Sequence, residues 1–212
     1  MNNIWKAGKI TMKNPLLESL GFKNWFKTGA IKSSLPVTWL PADLSNFTWL
    51  ETYQTHEVPK EDKWNTHATD LKLQLEDLYA EWQVPKEPTL HYMCLSPELS
   101  KGLKQAYDKF DYGKKHYNFL KITPGYLSFW HFDSYATFIK EHNLGPEHQK
   151  KIGRSAVMLT DWSFGQVLQI GRNVISEWNA GDVYTWYGDT WHGAANFGIQ
   201  DFTVMQVTHL ND

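Results

Sequence analysis

The sequence predicts an α+β fold with a mostly β core: a small jelly-roll-like body with helices packed on one side. Three observations point there. Short apolar runs recur through the second half at residues 155–159, 166–170, 174–178, 183–187 and 202–208, each the length of a strand in an antiparallel sandwich or barrel. Turn signals separate them, notably Asn179-Ala180-Gly181-Asp182 and Asn196-Phe197-Gly198. Helical spacing of apolar residues is concentrated in the first half, at residues 61–83 and 96–112.

Taken in order, residues 34–60 hold apolar pieces broken by Pro and Asn, read as loops with one or two short strands. Leu71, Leu75, Leu78 and Trp82 keep helical spacing, which predicts an amphipathic helix ending before Pro85. The run Ser96-Pro97-Glu98 reads as an N-cap serine with proline at the first helical position. Leu99, Leu103, Tyr107 and Phe110 then share a face. Residues 116–121 predict a strand, Thr123-Pro124-Gly125 a turn, and residues 126–133 the next strand. Residues 134–152 read as helix or loop, broken at Gly145-Pro146. The chain is thus expected to be a single domain over 1–212. Residues 1–113 form a helical and irregular part that buttresses a β core at 114–212. No internal repeat or low-complexity segment is visible.

Composition excludes several classes. A formal net charge of −2 without basic runs argues against a general nucleic-acid or membrane-surface binder. The lone Cys94 rules out an intramolecular disulfide and fits a reducing, cytoplasmic setting. The first residues lack the apolar core of a signal peptide, and no apolar run nears the roughly 20 residues that span a bilayer. The 11 Trp, 10 Tyr and 11 Phe are expected to fill a β core and to line a pocket within it. Oligomeric state is not readable.

One constellation carries chemistry. On an extended strand, His131 and Asp133 of His131-Phe132-Asp133 point the same way, and His192 follows later, after a strand end and a turn. Two imidazoles and a carboxylate are the ligand set of the facial triad that holds non-haem Fe(II) with open positions. A closed structural site would want a fourth Cys or His. HxD alone is a weak signal, equally compatible with an ordinary hydrogen bond and a core-packed His192. His116, His142, His148 and His209 have no partners at metal spacing and read as surface or core residues.

The order of motifs sharpens this. Lys121-Ile122-Thr123-Pro124-Gly125, the HxD, Arg154 to Leu159, Trp178-Asn179-Ala180-Gly181-Asp182 and His192-Gly193-Ala194-Ala195-Asn196 follow one another. Over residues 115–208 this resembles the double-stranded β-helix of the Fe(II)/2-oxoglutarate-dependent oxygenases, in their prolyl-hydroxylase-like or aspartyl/asparaginyl-hydroxylase-like branches. The resemblance implies Fe(II) on His131, Asp133 and His192, 2-oxoglutarate and dioxygen as co-substrates, and hydroxylation of an unactivated C–H bond of a peptidyl side chain or small metabolite. Two other readings stand beside it. One is a cupin-type metalloenzyme that does not use 2-oxoglutarate. The other is a non-catalytic jelly-roll binding module.

The chain departs from that family in one respect. The usual Arg or Lys for the far carboxylate of 2-oxoglutarate, shortly after the distal histidine, is missing: no Arg or Lys follows His192. A buried carboxylate needs a cation or several donors. Arg154, placed at the opening of its strand on the face of Ala156 and Met158, is the first candidate, and Lys121 the second. Asn196, Thr203, Gln206 and Gln169 are candidates for neutral hydrogen bonds. Trp191 is expected to pack behind His192.

Overall fold

The computed structural model describes residues 30–54, 89–95, 97–133, 135–188 and 190–211. The helix expected around Leu71 to Trp82 lies outside the described residues. Among the described residues, eleven strands form two antiparallel sheets: β1 (Ile31–Ser34), β2 (Leu50–Gln54), β3 (Thr89–Leu95), β4 (Lys115–Ile122), β5 (Leu127–His131), β6 (Ile152–Met158), β7 (Gln166–Ile170), β8 (Asn173–Ile175), β9 (Asp182–Tyr187), β10 (His192–Asn196) and β11 (Phe202–Leu210). The larger sheet runs β1-β9-β6-β11-β4-β3-β2 and the smaller β5-β10-β7-β8.

From β4 onward the pairing is nested. β4 pairs β11, β5 pairs β10, β6 pairs β9 and β7 pairs β8. The course is that of one long hairpin, closed at β7–β8 and rolled so that its two arms wind between both sheets. That is a double-stranded β-helix, with a mostly β core as expected. β7 falls where its sequence run places it because Gly165 and Gly171, both at positive φ, bracket it.

The central strand β11 is buried along almost its whole length, since both of its faces are covered. Its inward residues Phe202 and Val204 join Leu120, Ile122, Ala156, Met158, Leu168 and Trp186 between the sheets. Its outward residues Met205 and Val207 pack beneath Trp39, Leu103, Ala106 and Phe110. Leu103 and Ala106 lie on α2 (Lys101–Asp108), so this helix and the loop carrying Trp39 form a layer on the outer face of the larger sheet. α2 comes so close that a Cβ on Gly102 would overlap the Thr38 carbonyl. Thr38 Oγ1 donates to the Gly102 carbonyl at 2.7 Å.

Several boundaries differ from expectation. Ser100, not Ser96, caps α2, accepting from the Leu103 amide at 3.3 Å. The Pro97 carbonyl instead accepts the Tyr117 hydroxyl at 2.7 Å, which anchors the approach to the helix outside it. Residues 34–60 contribute a short helix, α1 (Pro41–Ser45), as well as strand β2. Residues 134–152 hold α3 (Ala136–Glu141) and a 3-10 turn (Pro146–Lys151). α3 sits away from the α2 layer: its Phe138 packs with Tyr135, Leu144, Ile152 and Leu210. β8 stops at Ile175, and Trp178 turns inward against Phe202, ring centroids 4.9 Å apart. No helix among the described residues is long and apolar enough to cross a membrane.

Candidate metal centre

β5 ends at His131, so the HxD is a strand end rather than a strand interior. The alternation expected of an extended chain still holds: Phe132 is buried against Trp191, ring centroids 5.1 Å apart, while His131 and Asp133 face the space between the sheets. Pairing of β5 with β10 is irregular here. His192 sits opposite His131, but Ala194 sits opposite Ser128, so three residues of β5 span the same step as two of β10. Such a bulge re-aims side chains, and it turns both Ser128 and His131 toward one cavity.

His192 opens β10, directly across from His131. One ligand atom from each of His131, Asp133 and His192 lies within 4.8 Å of the others. Asp133 Oδ1 is 3.9 Å from His131 Nε2, and Oδ2 is 3.5 Å from His192 Nε2. Their spacing is that of side chains that could hold one metal ion.

The protonation of the site suits a cation. His192 Nδ1 lies 3.0 Å from the Thr190 carbonyl, which can accept only if Nδ1 carries the proton. That tautomer leaves the Nε2 lone pair facing Asp133, the arrangement by which an outer partner prepares an imidazole ligand. Burial, outweighing the opposing pull of Asp133, lowers the His192 pKa and keeps the ring neutral. Burial alone would push Asp133 up, but Arg154, His192 and His131 outweigh it and hold the carboxyl below its usual range. Asp133 Oδ2 is nevertheless buried with no hydrogen bond. A buried, negatively charged carboxylate with one oxygen beside each of two imidazole nitrogens, and Arg154 as its one cationic partner, is a donor set that a divalent ion would satisfy.

Arg154 lies well inside β6 rather than at its opening, because the strand starts at Ile152. Its Nε is 3.0 Å from Asp133 Oδ2, and Nη1 donates to Gln206 Oε1 at 2.8 Å. The Asn118 amide donates to the same Gln206 oxygen at 3.0 Å. The guanidinium also lies over the Tyr135 ring, 5.6 Å from its centroid. Tyr135 takes a left-handed backbone, φ 54°, at the turn between Asp133 and α3.

The other expected site residues scatter. Gln206 lines the cavity with Arg154. Lys121 and Thr203 alternate with the inward Leu120 and Val204, so they face the other side of the sheet. The Lys121 ammonium lies 3.9 Å from Asp201 and over the Trp49 ring. Asn196 is a clasp: its amide donates to the Ile122 and Gln200 carbonyls at 2.8 and 2.7 Å, and its Oδ1 accepts from the Gly198 amide. Gln169 is not among the cavity residues. Trp191 supports the HxD through Phe132, as expected of a residue packed behind the ligands.

Sequence reasoning missed the cavity wall. A space of about 170 Å³ runs inward from the triad between Leu120, Ala156, Leu168, Trp186, Phe202 and Val204. Trp186 packs on His192, ring centroids 4.7 Å apart. A second cleft of about 390 Å³ opens on the other side of Asp133 and Arg154, bordered by His116, Asn118, Tyr135, Phe138, Glu141 and Thr208. The apolar inner wall means that the described residues offer the far carboxylate of 2-oxoglutarate no cation: Arg154 is the one Lys or Arg among them that lines the space, and it is committed to Asp133 and Gln206.

No protein-family model matches the chain, and no curated protein matches it in sequence. Among solved structures, a prolyl-4-hydroxylase from Pseudomonas putida is 15% identical over 83% of this chain and 97% of its own, with a TM-score of 0.45. A predicted oxalate decarboxylase from Thermotoga maritima is 17% identical over 57% of this chain and 81% of its own, TM-score 0.36. A cupin-2 domain from Rhodospirillum rubrum is 14% identical over 56% and 59%, TM-score 0.36. With all three scores below 0.5, none of them bears on the chemistry of the site, which rests on its own geometry.

Proposed function

We propose that the chain is a mononuclear metal-dependent oxygenase, with Fe(II) on His131, Asp133 and His192, that hydroxylates an unactivated C–H bond of a peptidyl side chain or small metabolite. One observation carries the reading: ligand atoms of His131, Asp133 and His192 lie within 4.8 Å of one another at the mouth of a cavity, with the Asp133 carboxylate held ionised beside Arg154. Three protein ligands leave positions open for a co-substrate and dioxygen. Bound there, Fe(II) supplies the dioxygen activation that no side chain can perform. The protein's own part is positioning and exclusion of water. Trp186, Phe202 and Leu168 keep the inner cavity apolar, and the Thr190 carbonyl orients His192. The second cleft, bordered by polar His116, Glu141 and Thr208, is where a substrate would reach the metal.

The test is metal uptake by the purified chain under anaerobic conditions. One equivalent of Fe(II), Mn(II) or Ni(II) should bind, and His131→Ala and Asp133→Asn should each lose it. Uptake no better than that of His131→Ala refutes the reading. Dioxygen consumption by the Fe(II) form in the presence of a 2-oxo acid then separates an oxygenase from a cupin-type metalloenzyme that needs none, the alternative favoured by the apolar inner wall.

A further inference from the structure

Where the wall of the inner cavity is polar and where it is apolar says what shape of ligand it takes. Moving inward from the metal, the residues that β4, β6, β7 and β11 present are Leu120, Ala156, Leu168, Val204 and Phe202. Each is apolar. The charged groups gather at the other end, beside Asp133, where Arg154 is held by Gln206, and deeper in the wall the uncharged Ser128 hydroxyl is the polar group that β5 adds. Arg154 is fixed there by three contacts, to Asp133, Gln206 and the Tyr135 ring, so it does not swing inward to meet a distal anion. With a divalent ion in place, the charges of Asp133 and Arg154 cancel and the two imidazoles are neutral. The head of the cavity is therefore cationic while its depth is apolar.

We propose that this cavity takes a monocarboxylate with an aliphatic tail, specifically a short branched 2-oxo acid, in the place where 2-oxoglutarate is expected. The anionic head meets the metal and Arg154, and the tail lies among Leu120, Leu168, Phe202 and Val204. Size agrees: a dry cavity of about 150 Å³ in another protein holds the six carbons of benzene, so about 170 Å³, which has to hold the head as well, suits a tail of about four carbons. A dicarboxylate would have to strip its second carboxylate of water with no cation among the described lining residues to receive it. The inference rests on the metal reading given under Proposed function.

The test is binding to the full chain loaded with Co(II) or, anaerobically, Fe(II), read by calorimetry and by the visible band that appears when a 2-oxo acid chelates Fe(II). The probes are 4-methyl-2-oxopentanoate and 2-oxoglutarate. The branched acid should bind at least tenfold more tightly. Ala156→Leu, which fills the cavity with an apolar group, should weaken the branched acid at least tenfold while metal uptake stays at one equivalent. Val204→Arg, which places a cation in the depth, should reverse the preference. Equal or tighter binding of 2-oxoglutarate by the natural chain overturns the proposal, as does a branched acid indifferent to Ala156→Leu, or no binding of either acid by the metal-loaded protein. Failure to take up metal at all is a different result: it refutes the metal reading, and this inference with it.

Discussion

His209 makes the stability of the fold depend on pH in a way that is independent of the His131, Asp133 and His192 cluster. It lies on the outward face of β11, fully buried. The Tyr112 ring stacks on it at 3.8 Å, tilted by 7°, and Tyr187 meets it edge-on at 5.9 Å. Nε2 is 3.2 Å from Ser155 Oγ, and Nδ1 is buried with no hydrogen-bond partner. A second proton would put an unsatisfied charge inside the outer layer, so burial pushes the pKa down from the ordinary 6.5 to about 4. Because the folded pKa is depressed, the unfolded chain binds more protons between those two values, and stability falls as pH falls through that window. The full loss is about 3 kcal/mol, at roughly 1.4 kcal/mol for each pH unit of the shift, and most of it is reached by pH 4.5. The assay is urea denaturation at pH 7.0 and pH 4.5 of the natural chain and of His209→Phe, whose ring keeps the stacking but does not titrate. The variant should be less stable at pH 7.0, where it lacks the Ser155 contact, and should lose about 2 kcal/mol less than the natural chain on going to pH 4.5. Carboxylates titrating elsewhere cancel in that comparison. Equal losses for the two proteins refute the reasoning.

Arg154→Met leaves the Asp133 carboxylate buried beside two neutral rings. The metal-free protein should lose about 3–5 kcal/mol, and saturating Ni(II) should restore part of it, as thermal melts with and without the ion would show. Asn196→Ala strands the Ile122 and Gln200 carbonyls, which should cost about 1–3 kcal/mol in urea with metal stoichiometry unchanged, as expected of a clasp and not of a ligand-binding residue. Gly102→Ala drives a methyl group into the Thr38 carbonyl and should cost about 1–3 kcal/mol by lifting α2 from the sheet, again without affecting metal uptake.

The elements that the sequence displays most clearly are those whose signal is local. β7 is bracketed by two glycines that need positive φ, so its five residues can be read directly. α2 was legible as a helix from its apolar face, but its start was not, because the Ser96-Pro97 pattern marks a cap locally while the helix begins only after Ser100, with the Pro97 carbonyl taken by the Tyr117 hydroxyl. The triad was legible as a set of ligand types. What could not be read was parity, meaning which alternate residues of β4 and β11 face the triad. Lys121 and Leu120 are neighbours on β4, yet only Leu120 reaches the cavity, and that outcome depends on pairing with β11 across a long stretch of chain.

By itself, then, the sequence determined the strand-rich core, the order of its turns and the ligand types gathered in His131, Asp133 and His192, because alternation, glycine turns and side-chain chemistry are properties of neighbouring residues. Only the tertiary structure decided that the β5 bulge aims His131 and Ser128 into one space, that Arg154 serves Asp133 rather than the depth of the cavity, and that the depth is apolar. Those are properties of register and of sheets packed face to face, where shifting a strand by one residue exchanges its buried and exposed sides.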